Sequence, residues 1–280
     1  MNGKTGTGRR LKNHLMTFLV ILAAVACLVP LVDIVGIVVA KGLRAMTWPI
    51  LTSVSTGVAG GLANAISGTV LLVALALAMA VPLGVLGALF LSEFGSKRMA
   101  WVLRQGIDIL NGVPTIVIGY FGYVTMVVWL GWGFSLLAGS IALTLVMLPY
   151  IVRSAEIAMN RVPQTWREAS LALGATHATT SFRIVLRGAV PGIVTGLIIA
   201  VGRAMGETAP LIYTAGWSNY MPTGSLTHSP VGYLTYVVWT FIEEPFASAH
   251  TLAYGAALFL ILMVLAFNIA GRLLIGRRGL

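Results

Sequence analysis

The sequence predicts an all-α integral membrane protein that crosses the bilayer six times, with both termini on the cytoplasmic side. Three observations predict it. Of 280 residues, 58% are hydrophobic and only 9% are charged, against about 25% charged in soluble domains, so most of the surface does not face water. Six stretches reach the roughly 20 apolar residues that a hydrocarbon core about 30 Å thick requires. The 18 Lys and Arg residues gather in alternate loops between those stretches.

The first span covers about 15–40, behind a cytoplasmic N-terminal tail of residues 1–14. Lys4, Arg9, Arg10 and Lys12 ahead of an apolar run imitate a signal peptide. The run continues to Ala40 without a small-residue cleavage pattern, so it reads as retained. The next spans cover about 66–91, 109–130, 134–155, 189–212 and 252–275, and the whole of 15–280 reads as one transmembrane domain. Turn chemistry separates them, as in Gly-Ser-Lys-Arg at 95–98 and Gly-Trp-Gly at 131–133. Two loops exceed ordinary connectors: an inner one at 156–188 and an outer one at 213–251. Within the outer loop, Val231–Ile242 is apolar but too short to span, which places it at the interface or against a partner.

Orientation follows from the excess of Lys and Arg in cytoplasmic loops. With the N-terminus inside, 15 basic residues are cytoplasmic, Lys41 and Arg44 are external, and Arg203 lies within a span. The 213–251 loop has no Lys or Arg at all.

Composition and motifs exclude several function classes. The net charge of +10 resembles that of a nucleic-acid-binding chain, but the basic residues sit in short loops and form no basic face, so nucleic acid is not a partner. Cys27, the single cysteine, lies in an apolar run and forms no intrachain disulfide. The four histidines are scattered without metal-ligand spacing. Gly3-Lys4-Thr5 lacks the upstream glycine and the strand of a phosphate-cradling loop. No nucleophile elbow or His-Glu-x-x-His is present. The chain is therefore not an enzyme, and any ATP is bound elsewhere.

Three segments carry chemistry. In the inner loop, Glu168-Ala169-Ser170 is followed by Gly174 and, nine residues on, by Ile184-Val-Leu186. Pro163 starts a short helix holding Glu168 and Ala169, and Gly174 permits a left-handed turn. The result is a helix–turn–helix elbow that a partner's cleft can close around; read without that spacing, it is an amphipathic connector. In span five, Arg203 and Glu207 are four apart and share a helix face. A charge within a span costs about 2.5–3.5 kcal/mol on insertion scales and so faces an interior or a cavity. Gly188, Gly192, Gly196, Ala200 and Ala204 form a small-residue stripe that includes the charged pair, and Val190, Val194, Ile198, Val201 and Met205 form a lipid-facing side. The pair reads either as a structural lock between helices or as a guanidinium presented to a passing oxyanion, with Glu207 and Thr208 beside it. At the start of span three, Asn111, Gly112, Pro114 and Thr115 allow an irregular backbone, which is tolerated at membrane depth only against protein or water.

Taken together, Gly112-Val-Pro-Thr-Ile-Val-Ile-Gly119, the Glu-Ala loop and Arg203-Ala-Met-Gly-Glu-Thr-Ala-Pro-Leu-Ile-Tyr-Thr-Ala215 resemble the PstA-type permeases of bacterial phosphate ABC importers. Two loop positions depart from the family pattern: Ser170 stands where a second Ala is usual, and Arg187 where Pro is usual. The resemblance covers most of the chain. It implies the type I ABC importer permease fold in a bacterial cytoplasmic (inner) membrane, surrounded by membrane lipid. It also implies a pathway role for Arg203, Glu207 and Thr208, and ATPase coupling through Glu168, Ala169 and Gly174. The implied partners are a second permease of the PstC type, a PstB-type ATPase dimer that holds ATP and magnesium, and a PstS-type external phosphate-binding protein. No cofactor is implied on this chain. A permease for another oxyanion, sulfate or molybdate, is the alternative within the class. A secondary transporter would require more intramembrane carboxylates or inverted repeats.

Overall fold

A computed structural model describes the backbone of residues 5–276 and the side chains of residues 9–273. Gly3, Lys4, Arg277 and Arg278 lie outside the described residues. The first helix, α1 (Thr5–Ala45), runs without interruption through the basic segment and the apolar run. A short α2 (Trp48–Thr52) leads to α3 (Ala63–Leu89), which continues as a π turn, Phe90–Phe94. Ser96 caps α4 (Lys97–Gly112) by accepting from the Met99 N–H. Then come α5 (Thr115–Gly122) with a π turn Tyr123–Trp129, α6 (Leu136–Asn160), α7 (Gln164–Ala172) and α8 (His177–Thr180). A π turn, Ser181–Val185, joins α8 to α9 (Leu186–Met205), followed by α10 (Ala209–Thr214), α11 (Leu234–Phe241) and α12 (Ala247–Gly276).

Five helical segments are long and apolar enough to cross a bilayer: Arg9–Ala45, Ala63–Phe94, Leu136–Asn160, His177–Met205 and Ala247–Leu273. A bent pair, α4 and Thr115–Trp129, meets at 96° and brings the candidate crossings to six when the two count as one span. Span three is therefore not the straight helix over 109–130 that hydropathy suggests. Pro114 has no N–H and holds extended ψ, and Val113 before it is extended as well. The segment after the bend, Thr115–Trp129, is about 22 Å of helix at 1.5 Å per residue, and α4 turns away with Trp101, Val102 and Ile109 exposed.

Span five is shifted too. Its helix runs back to His177, continuing through Pro191, and it ends at Met205 rather than near 212. Gly206 closes it, and Pro210, in the first turn where a missing N–H costs nothing, opens α10.

The core is built on close helix crossings. Gly84 of α3 seats on Ile151 of α6, and Gly139 of α6 on Leu72 of α3. The Ser140 and Thr144 hydroxyls donate to the Leu72 and Ala76 carbonyls at 3.2 and 3.3 Å across the same seam. These bonds satisfy hydroxyl groups that the crossing buries. The apolar stretch of the outer loop is not laid on the surface. Val231, Tyr233, Leu234, Val237 and Phe241 are buried, and α11 packs against α3 and α12. Hydropathy alone could not choose between an interfacial helix and one folded back into its own bundle. By contrast, among the described residues α1 exposes its apolar surface nearly all round and packs near its C-terminal end, against α12.

Candidate functional site

Arg203 stands in the last turn of α9, just before the break, and its side chain is 47% exposed. Its guanidinium carbon lies 4.7 Å from the centroid of the Tyr150 ring, a cation–π contact. Its Nε is 3.5 Å from Glu207 Oε1, whose side chain is only 12% exposed. Glu207 sits in the break rather than on the helix. Its backbone carbonyl accepts from the Thr235 hydroxyl of α11 at 2.9 Å. The ion pair is long for a charge-assisted hydrogen bond. Most of the guanidinium's N–H groups have no protein acceptor among the described residues. Thr208, half-buried, is the N-cap residue of α10.

The helical wheel misplaces this arginine. The small stripe does pack on α6: a Cβ on Gly192 would lie 2.5 Å from Ala158 Cβ, Gly196 seats on Ser154, and Ala200 and Ala204 are buried. Arg203 is not in that stripe. It ends an exposed ridge of Arg187, Pro191, Thr195, Ile199 and Arg203. Nor does the aliphatic side meet lipid: Ile198, Val201 and Met205 are buried, Ile198 against Gly271 of α12. Helix α9 is enclosed by α3, α6 and α12, so only one narrow ridge stays open.

Beside that ridge lies a cleft of about 320 Å³ between α4, α6 and α9, lined in part by Asp108, Asn111, Tyr150, Arg153 and Ile199. Asn111 thus opens onto the same cleft as the ring that holds Arg203. Gly112, Pro114 and Thr115 form the bend above it. The two motifs meet through α5 and α10: a Cβ on Gly119 would lie 2.6 Å from Pro210 Cα, and one on Gly122 would lie 2.8 Å from Thr214 Cγ2. Two interrupted helices are therefore packed side by side at the break.

Sequence reasoning missed Tyr150, Asp108 and the ionic group around Glu156. Arg153 lies on α6, which runs on to Asn160, beyond the span end expected near 155. Glu156, nearly fully buried, takes Arg104 Nε at 2.6 Å and Arg153 Nη1 at 3.4 Å, and Arg153 Nη2 lies 3.9 Å from Asp108. The available signal was the absence of any helix breaker between Pro149 and Pro163, which carries α6 through Arg153 and Glu156.

About 30 Å away along α9, the inner elbow forms. Pro163 precedes α7, and Gly174 closes the turn at φ +82°, with open space where a Cβ would stand. The Thr176 hydroxyl caps α8 by accepting from the Thr179 N–H at 3.2 Å, and the Ser170 and Thr180 hydroxyls bond at 2.9 Å across the elbow. Arg167 ties it to the bundle, donating to Glu93 Oε1 and to the Met159 carbonyl, both at 2.9 Å. Glu168 and Ala169 stay exposed, and Leu173 at the tip is 88% exposed. No group of His, Cys, Asp or Glu suited to a metal ion occurs among the described residues.

A family model described as binding-protein-dependent transport system inner membrane component matches residues 80–278. The chain is 45% identical over 237 residues to a protein named phosphate transport system permease protein PstA 2 from Mycobacterium bovis, covering 85% of this chain and 79% of that one. It is 36% identical over 275 residues to PstA 1 of Mycobacterium tuberculosis, covering 95% and 89%. Its fold matches a chain in the crystal structure of a bacterial ABC transporter involved in alginate import, with a TM-score of 0.67 and 16% identity over 96% of this chain and 99% of that one.

Proposed function

The chain belongs to the family of binding-protein-dependent transport system inner membrane components, and from that premise we propose that it is the permease subunit of an ATP-driven importer, carrying inorganic phosphate inward past Arg203. The names of its relatives and their identity over most of both chains support phosphate as the substrate. Arg203 is the observation that carries the reading: an exposed guanidinium at a helix break within an apolar bundle.

The geometry suits transient capture of an oxyanion. Tyr150 supports the guanidinium, leaving donor edges for bidentate contact with phosphate oxygens. Glu207 at 3.5 Å is near enough to orient the cation and too far to occupy its donors. When the anion leaves, the same carboxylate offsets the positive charge, so the path does not become a trap. Thr208 supplies a hydroxyl next to the break. Glu168, Ala169 and Gly174 present the elbow to an ATPase, and α9 runs from that elbow to Arg203, a direct mechanical link between the two.

The partners in this reading are a PstC-type second permease, two PstB-type ATPase subunits and a PstS-type binding protein on the outer face. ATP and magnesium belong to the ATPase, and this chain holds no cofactor. The assembly lies in the bacterial inner membrane, with both termini and the 156–188 loop cytoplasmic. The test is labelled-phosphate uptake in cells lacking other phosphate transporters, with the four components co-expressed. Uptake should require an active ATPase and resist excess sulfate or molybdate. Competition by either anion, or uptake with an inactive ATPase, overturns the assignment.

A further inference from the structure

Lys41 and Arg44 are the two exceptions to the charge distribution, and the transport path does not use them. The fold brings both to one place. Gly42, between them, seats against α12, where a Cβ would lie 2.6 Å from Leu258 Cβ and 2.8 Å from the Tyr254 carbonyl. Ala45 is buried beside Gly255. This crossing sets both cations against the first turns of α12 and forms a cleft of about 590 Å³ that also takes in His250, Tyr254 and Ile242. Lys41 Nζ donates to the Tyr254 hydroxyl at 3.3 Å and lies 4.6 Å from the ring centroid. The hydroxyl accepts that bond and keeps its own proton for another acceptor. Among the described residues neither Lys41 nor Arg44 forms an ion pair; Glu243 and Glu244, which follow Ile242, pair with neither.

We propose that this cleft binds the phosphate group of an anionic phospholipid, held by Lys41, Arg44, His250 and the Tyr254 hydroxyl. Two cations without carboxylates and a free hydroxyl proton are the donor set of an oxyanion site. Inorganic phosphate shares that chemistry; the surroundings favour the lipid. The site stands where the apolar run of α1 ends, and Trp48, 78% exposed, follows within a turn, as aromatic residues do at a headgroup boundary. The rim is apolar and open: Leu43, Ile242 and Phe246 are exposed and offer a surface to acyl chains, which a free ion does not need. None of the cleft's residues belongs to the Arg203 path.

The full chain, reconstituted in nanodiscs of phosphatidylcholine doped with phosphatidylglycerol, should retain phosphatidylglycerol selectively through detergent extraction, as read by native mass spectrometry. At roughly 1 kcal/mol for each basic residue near an anionic surface, the Lys41→Gln/Arg44→Gln double variant should lose about thirtyfold in that selectivity. The charge-keeping swap Lys41→Arg/Arg44→Lys should retain most of it, and Lys97→Gln/Arg98→Gln, at a different loop, should change nothing. The swap separates lost charge from lost folding. Equal retention by the wild type and the Gln double variant overturns the site. So does displacement of the lipid by millimolar inorganic phosphate, which would make it a free-anion site, or an effect confined to docking of an external protein.

Discussion

Arg203 keeps nearly half its side chain in the open, while its one carboxylate partner among the described residues is largely buried. That asymmetry favours the proposed pathway role over a helix lock. A lock would bury both charges and close the pair to hydrogen-bond distance, whereas here the contact is 3.5 Å and a tyrosine ring takes part of the holding. Arg203→Lys retains the charge but loses the planar fork and much of the stacking, and it should cut phosphate uptake severalfold. Arg203→Gln leaves Glu207 alone in a low-dielectric setting. The double change Arg203→Gln/Glu207→Gln leaves neither charge unpaired, a removal that structures often tolerate. We expect the double variant at normal membrane abundance with phosphate uptake at least about tenfold down, the loss of roughly one charged hydrogen bond to the passing anion. Near-normal uptake by that variant would return Arg203 to a structural role. The same distinction was open at the level of sequence, because spacing shows that two charges share a neighbourhood and not how tightly they close.

At the scale of elements, two devices organise the site, and each rests on one residue's backbone. Pro114 turns α4 away from α5 by 96°, so Asn111 and Asp108 reach the cleft beside Tyr150. Gly174 turns α7 into α8 at φ +82°, a conformation that costs an ordinary L-residue about 1–2 kcal/mol. No atom stands near its missing Cβ, so within this chain the glycine is required for conformation and not for space. Asparagine, which tolerates the left-handed region, separates the two needs. On the proposal that an ATPase cleft closes on the elbow, Gly174→Asn should leave the permease folded and in the membrane, yet weaken ATPase co-purification and uptake. Gly174→Trp should abolish both. If the asparagine variant couples normally, only the turn geometry matters there, and if the tryptophan variant also couples, the elbow is a plain connector. Glu168, exposed on α7, should behave like the tryptophan variant when reversed in charge to Lys.

For the whole molecule, the distribution of basic residues predicts one orientation. The 213–251 loop carries none and the 153–188 segment carries five. A reporter fused after Thr223 should read as external and one fused after Thr176 as cytoplasmic. Both on one side would end the six-crossing scheme. The reverse result, Thr176 external and Thr223 cytoplasmic, would mean that the bent third segment does not cross, since Thr115–Trp129 is shorter than a full hydrocarbon core and depends on its neighbours. Its support is the seam of Gly119 and Gly122 against α10, where small residues let interrupted helices satisfy each other in place of lipid.

Much of this was legible from residues alone. Membrane class, the approximate spans, the elbow with its left-handed glycine and the Arg203–Glu207 pair all follow from local properties: apolar run length, turn chemistry and helical spacing. These depend on a residue and its near neighbours, so one sequence determines them. What faces what was decided by tertiary structure. The wheel of α9 assigned Arg203 to the packed stripe and Ile198, Val201 and Met205 to lipid, and both were reversed because helices on three sides left only one ridge open. Hydropathy marked Val231–Ile242 as too short to span without showing that α11 folds back into the core. Tyr150 and Asp108 carry no sequence mark at all, and only the crossing of α4, α6 and α9 brings them to the cleft. Periodicity gives a helix its faces; the neighbours that cover each face come from contacts between residues far apart in the chain, and no local rule contains them.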